Sequence, residues 1–148
     1  MQLALFEPEI AENAGAATRA AACFGAGLHL IEPCGFPLGS KRFARVALDY
    51  GLIAPPTIHT DWTAFLAATT GAGRRVLLTT RADATLWEAD LWQTDIVILG
   101  RESAGAPSQV HEAVDLRIRI PLAPAARSLN VAMAGVITLA EYARRRLL

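Results

Sequence analysis

An α/β fold, mostly parallel sheet flanked by helices, is the architecture this sequence predicts, on three observations. Five short apolar runs, residues 3–6, 28–31, 76–79, Ile96–Leu99 and 116–120, each stop at a Gly, Pro or polar residue. Most are continuously apolar rather than alternating, as strands covered on both faces should be. Helix-compatible stretches lie between them, and that alternation is the signature of helices layered on a parallel sheet.

Taken in order, the first run leads into residues 14–24, an alanine-rich stretch that follows a helix start signal at Asn13. Residues 61–68 open on Asp61, a good N-cap, and place Trp62, Phe65 and Leu66 on one face. The longest helix is expected at residues 129–146, capped by Ser128 and closed by Arg144, Arg145 and Arg146, charges that suit a helix C-terminus. Three Gly/Pro-rich loops each follow a strand, at residues 7–15, 100–107 and 121–130. Ligands of parallel sheets sit at the carboxyl ends of strands, so these loops are where function is expected.

Length and composition narrow the classes. A chain of 148 residues fits one domain, 1–148, and 53% hydrophobic residues exclude a disordered segment. Cys23 and Cys34 form no disulfide framework, and the opening does not read as a signal peptide, so a cytoplasmic location is expected. The longest apolar stretch, residues 131–140, is half a membrane span, so no membrane partner is expected. Net charge is zero, with 14 basic and 14 acidic residues, which argues against binding nucleic acid by bulk charge. All but one of the basic residues are arginine, whose planar fork suits phosphate, so local clusters can still grip RNA.

Several chemistries fall away. Gly25-Ala26-Gly27 and Gly71-Ala72-Gly73 precede strands and lack the third glycine of a dinucleotide loop, so both read as turns. His29, His59 and His111 are scattered without metal-ligand spacing, no metal is expected, and His29 reads as a core histidine. No nucleophile elbow surrounds Ser40, Ser103 or Ser108. Three motifs remain: Glu9-Ile10-Ala11-Glu12-Asn13-Ala14-Gly15 with Thr18-Arg19, Gly100-Arg101-Glu102-Ser103-Ala104-Gly105-Ala106-Pro107, and Arg127-Ser128-Leu129-Asn130-Val131-Ala132. Taken singly, the first reads best as a capped helix with one solvated arginine, the second equally as a ligand loop or a surface turn, and the third as strand, turn and capped helix.

In this order and at these distances, the three motifs resemble the SPOUT superfamily of trefoil-knotted RNA methyltransferases, over the whole chain. The likeness is greatest to its single-domain members that methylate the wobble ribose of tRNA at cytidine or uridine 34. Leu5-Phe6-Glu7-Pro8-Glu9-Ile10, Leu30-Ile31-Glu32-Pro33, Gly35-Phe36, Lys41-Arg42, Leu48-Asp49-Tyr50 and Leu78-Thr79-Thr80 carry the same resemblance. It implies a C-terminal trefoil knot, which general topology rules would not propose. It also implies S-adenosylmethionine as methyl donor, held by Leu78, Thr79, Gly100, Ile120, Ser128 and Leu129. Arg19 and Asn130 are the implied catalytic residues, and Arg19, Lys41, Arg42 and Arg45 the expected RNA-binding surface. A permanently protonated arginine suits a phosphate clamp better than a base. The sequence departs from the usual pattern at Arg101, where Pro or Ser is common, and at Ala104, where a basic residue is common. The final helix is apolar over more than the ~100° one core face needs, and Ala134 and Gly135 would allow close helix approach, so a homodimer is expected; the resemblance implies one too, with the donor of one subunit facing Arg19 of the other. A knotted RNA-binding module without donor, a small-molecule α/β enzyme, and ribose methylation elsewhere in tRNA or rRNA remain as alternatives.

Overall fold

A computed structural model describes residues 1–147. Six strands, β1 (Gln2–Phe6), β2 (Gly27–Ile31), β3 (Thr57–His59), β4 (Arg75–Leu78), β5 (Ile96–Leu99) and β6 (Leu116–Ile118), form one sheet in the order β3-β2-β1-β5-β4-β6. Every pairing is parallel, with Leu3 opposite both Leu28 and Val97, and Val76 opposite both Val97 and Leu116. Five of the six strands lie where the apolar runs predict. β3 was not anticipated: it spans three residues at the sheet edge, too few for a pattern to register.

The pleat sorts each run onto two cores. Leu3, Leu5, Leu28, Leu30, Val97 and Leu99 face one layer, with Ala14, Ala17 and Ala21 of α1 (Ala11–Cys23) and Leu139 of α6 (Val131–Leu147). Ala4, Phe6, Ile31, Ile96 and Ile98 face the other, with Trp62 and Phe65 of α4 (Trp62–Ala68) and Val110 of α5 (Ser108–Glu112). The helices α2 (Lys41–Ala47) and α3 (Tyr50–Ile53) pack outside α1. Gly15 permits the α1–α2 contact, because a Cβ there would sit 2.8 Å from the Phe43 carbonyl oxygen. The glycine therefore admits a helix, not a ligand.

Two helix starts differ from expectation. α1 begins at Ala11, two residues ahead of Asn13, and Asn13 is a nearly buried first-turn residue rather than a cap. α6 begins at Val131, and Asn130 rather than Ser128 caps it, its Oδ1 accepting from the N–H groups of Ala132 (2.9 Å) and Met133 (3.2 Å). Asp61 caps α4 as expected, accepting from the Ala64 N–H at 2.7 Å. The terminal arginines do more than neutralise a helix end. Arg145 donates to the carbonyls of Leu86 (2.9 Å), Trp87 (2.7 Å) and Ala89, tying α6 to the long segment between β4 and β5.

His29 is the satisfied core residue that was expected. Its Nε2 meets Gln2 Oε1 at 2.5 Å and its Nδ1 meets His59 Nε2 at 2.9 Å. Burial, reinforced by His59, pulls its pKa down to about 4.

Candidate active site

The strand order reverses between β1 and β5: the chain steps outward from β1 to β2 and β3, crosses to β4 on the other side, and returns in β5 between β4 and β1. Crevices at such points, beyond the carboxyl ends of the strands, are where open α/β sheets bind ligands. The first two motif loops leave β1 and β5 there, and they interlock. Glu9 accepts from the backbone N–H (2.8 Å) and the hydroxyl (2.7 Å) of Ser103, which hold its carboxyl below the usual range. Glu102 answers in the other direction, accepting from the Glu9 N–H at 2.8 Å. Arg101 pairs with Glu7, a residue at φ 47° whose left-handed backbone costs roughly 1–2 kcal/mol. Arg101, the sequence departure, is thus spent in part on closing the two loops.

The third motif joins through amides. Asn130 donates from Nδ2 to Asn13 Oδ1 at 2.8 Å, and Asn13 donates from Nδ2 to Glu102 Oε1 at 3.0 Å. Residues far apart in sequence therefore meet on one hydrogen-bonded line. Asn13, whose residue type suggests a cap, is instead the central amide of this line, and Glu102 is its end. The Asn-to-Glu contact has no local signature, because Asn13 lies in the first turn of α1 and Glu102 in the loop after β5, far apart in sequence.

Beside this line lies a cavity of about 510 Å³. Leu78, Thr79, Gly100, Ile120, Ser128, Leu129 and Asn130, all expected at the site, line it together. Apolar walls come from Leu78, Leu99, Ile120, Leu122 and Val131, and Thr79, Thr80 and Ser128 add hydroxyls. That volume and mixture suit a nucleoside-sized ligand such as S-adenosylmethionine. A Cβ on Gly100 would lie 2.4 Å from the Ala106 nitrogen and the Gly105 carbonyl carbon. Gly100 is therefore required by the tight return of its own loop, where Arg101 and Gly105 exchange backbone bonds of 3.1 and 2.9 Å.

The expected RNA-binding residues stand apart from this cavity. Arg19 is exposed on α1, its guanidinium 5.8 Å from the Tyr50 ring, and lines no part of the cavity wall. Lys41, Arg42 and Arg45 are exposed on α2. Lys41 and Arg42 border a second cleft of about 480 Å³. Among the described residues no group of His, Cys, Asp and Glu is placed to hold a metal ion, and no helix is long and apolar enough to cross a membrane.

Residues 1–140 match the model of the SpoU rRNA methylase family. The chain belongs to that family. A relative from Ancylobacter novellus, named tRNA (cytidine(34)-2'-O)-methyltransferase, is 49% identical over 146 residues, covering 98% of this chain and 92% of the relative. A relative of the same name from Beijerinckia indica is 42% identical over 144 residues, 97% of this chain and 90% of its own. Among solved structures, one concerned with 2-OH methylation of C/U34 on tRNA superposes with a TM-score of 0.91 at 38% identity, covering 99% of this chain and 95% of that one. The SpoU fold also aligns with an AdoMet-bound rRNA methyltransferase from Sinorhizobium meliloti, TM-score 0.89 and 27% identity, over 99% of this chain and 56% of the other.

Proposed function

We propose that this SpoU-family enzyme transfers a methyl group from S-adenosylmethionine to the ribose 2′-hydroxyl of cytidine or uridine 34 of tRNA. The observation that carries this reading is the gathering of all six expected donor-site residues and Asn130 around one cavity at the strand-order reversal. The near full-length relatives named for that reaction support the choice of substrate.

The donor, when bound, supplies an activated methyl on a sulfonium. The protein's part is alignment, which can account for a large share of the acceleration. Leu78, Ile120 and Leu129 offer apolar surface to a purine, and Thr79 and Ser128 offer polar atoms at the rim. Asn130 lines the cavity, fixed by the α6 backbone on one side and Asn13 on the other. Arg19 serves as a phosphate clamp that positions the ribose.

The enzyme acts as a homodimer of single-domain chains in the cytoplasm. Arg19 lies outside its own cavity wall, so a second copy is the source of the arginine each site needs. α6 offers a surface for that copy: Met133 is 55% exposed beside cavity residue Ala134. Gly135 is excluded from the contact, since it faces Leu3 of its own sheet at 3.2 Å from an added Cβ. A C-terminal knot agrees with the backbone bonds from Leu86 to Arg119 (2.8 Å) and Arg119 to Ala84 (3.0 Å), which bring the two loops together ahead of α6.

The test is methyl transfer from labelled donor to purified tRNA, with free nucleosides as the control. Ribose methylation of tRNA alone is expected. Methylation of free nucleosides would favour a small-molecule enzyme, and donor-independent RNA binding would favour a non-catalytic module.

A further inference from the structure

The second cleft is unexplained by donor binding. Glu12, Phe36, Lys41 and Arg42 contribute to its walls, and Ile10 belongs to the walls of both this cleft and the donor cavity. A 2′-hydroxyl and its base hang on the same sugar, so a surface that reads the target base must lie within one nucleotide of the donor cavity. The second cleft meets that requirement through Ile10, an apolar side chain left 44% exposed.

Its chemistry also fits. Phe36 is half-buried and stacks on Phe43, the rings 6.3 Å apart and 15° from parallel, so it is a fixed aromatic surface. Its loop is pinned to the loop after β1, which carries Ile10: the Gly35 N–H donates to the Pro8 carbonyl at 2.9 Å. A Cβ on Gly35 would come within 2.7 Å of the Glu9 carbonyl oxygen. Aromatic faces of this kind stack unpaired bases in RNA-binding proteins. The two carboxylates of the cleft differ. Glu9 is held by Ser103, whereas Glu12 accepts no hydrogen bond among the described residues. Lys41 and Arg42 stand exposed and without an ion pair among the described residues, available to flanking phosphates.

Resting on the function proposed above, we infer that this cleft is the subsite for the target nucleobase, with Phe36 as its stacking surface and Glu12 accepting from an exocyclic amine. A carboxylate matches the N4 amine of cytosine and opposes the O4 oxygen of uracil. The subsite therefore favours cytidine at the methylated position.

Two tRNA transcripts that differ only in C or U at position 34 provide the test, with kcat/KM measured for wild type, Glu12→Gln and Phe36→Leu. Calorimetric affinity for S-adenosylmethionine serves as the control for folding. Glu12→Gln is expected to lower kcat/KM on the cytidine transcript about tenfold more than on the uridine transcript. Phe36→Leu should lower both by a similar factor, roughly tenfold, with donor affinity retained. An equal effect of Glu12→Gln on both transcripts, or no effect of Phe36→Leu on either, would overturn the subsite while leaving the methyltransferase reading intact. A wild-type enzyme that methylates neither transcript would overturn that reading and the subsite with it.

Discussion

Asn130 and Asn13, separated by more than a hundred residues, share a 2.8 Å hydrogen bond whose direction is imposed by the start of α6. The Asn130 Oδ1 is occupied by two helix N–H groups, so only its amide NH2 is free to face Asn13. Asn13 must then present its oxygen to Asn130 and its NH2 to Glu102. A helix cap thereby orients a carboxylate in the cavity wall.

Asn130→Asp separates the two duties of the cap. Aspartate caps as well as asparagine, so the start of α6 should be kept, with the far-UV circular dichroism of wild type. An oxygen would now face Asn13 Oδ1, forcing the Asn13 amide to turn and oppose Glu102 with its own oxygen. Methyl transfer should fall at least tenfold. Asn130→Ala should lose the activity and also about 1 kcal/mol of stability.

Gly100→Ala should be harmful even though alanine adds only a methyl. The new Cβ would collide with backbone, which cannot swing aside as a side chain can. The 101–105 return must open, and calorimetry should show donor affinity lost with the sheet intact by circular dichroism. Unchanged affinity would mean the loop has slack that its geometry does not suggest.

Stability should fall with acid over a defined window. His29 is held neutral in the fold, its pKa lowered to about 4 by burial and by His59. In the unfolded chain it takes a proton near pH 6.5. Between those values the unfolded state binds more protons, so the stability present above pH 6.5 is progressively lost down to pH 4. The loss is on the order of 3 kcal/mol. Denaturant midpoints measured across this range should slope downward toward acid, and His29→Gln should flatten the slope.

Binding of tRNA should weaken steeply with salt despite the zero net charge, because Arg19, Lys41, Arg42 and Arg45 are all exposed on α1 and α2. Arg42→Ala should reduce the slope of log affinity against log salt by about 1. Affinity that ignores salt would remove these residues from the RNA surface.

Subunit sharing predicts complementation. Leu129 is 39% exposed and lines the cavity assigned to the donor in the proposed function, so Leu129→Arg should block donor binding without disturbing the core. Mixed dimers of Arg19→Ala with Leu129→Arg subunits should regain one working site. Sedimentation as a monomer at micromolar concentration would exclude sharing.

The strands were legible because burial on both faces leaves an uninterrupted apolar run, as Ile96–Leu99 does. The pocket residues were legible only together, through the family likeness, since Thr79 or Ser128 alone is an ordinary loop residue. What stayed hidden was long-range polar pairing. Asn13 looked like a cap because its residue type favours caps, yet its partners are Glu102 and Asn130. At Gly15 and Gly100 backbone of the same chain occupies the space a side chain would take, a close approach that no local pattern announces, although Gly100 also lines the cavity. Short α2 and α3 are hard to see because four to seven residues carry too few turns to set a period, whereas the equally short α4 has an Asp61 cap and an aromatic face to mark it.

The most direct test is mass mapping of tRNA ribose methylation in a strain lacking the gene, against the same strain carrying it. Loss of a single 2′-O-methyl at nucleotide 34, restored by the wild-type gene but not by Asn130→Asp, is the predicted result. An unchanged nucleotide 34, with the missing methyl on a base or at another position, would contradict it.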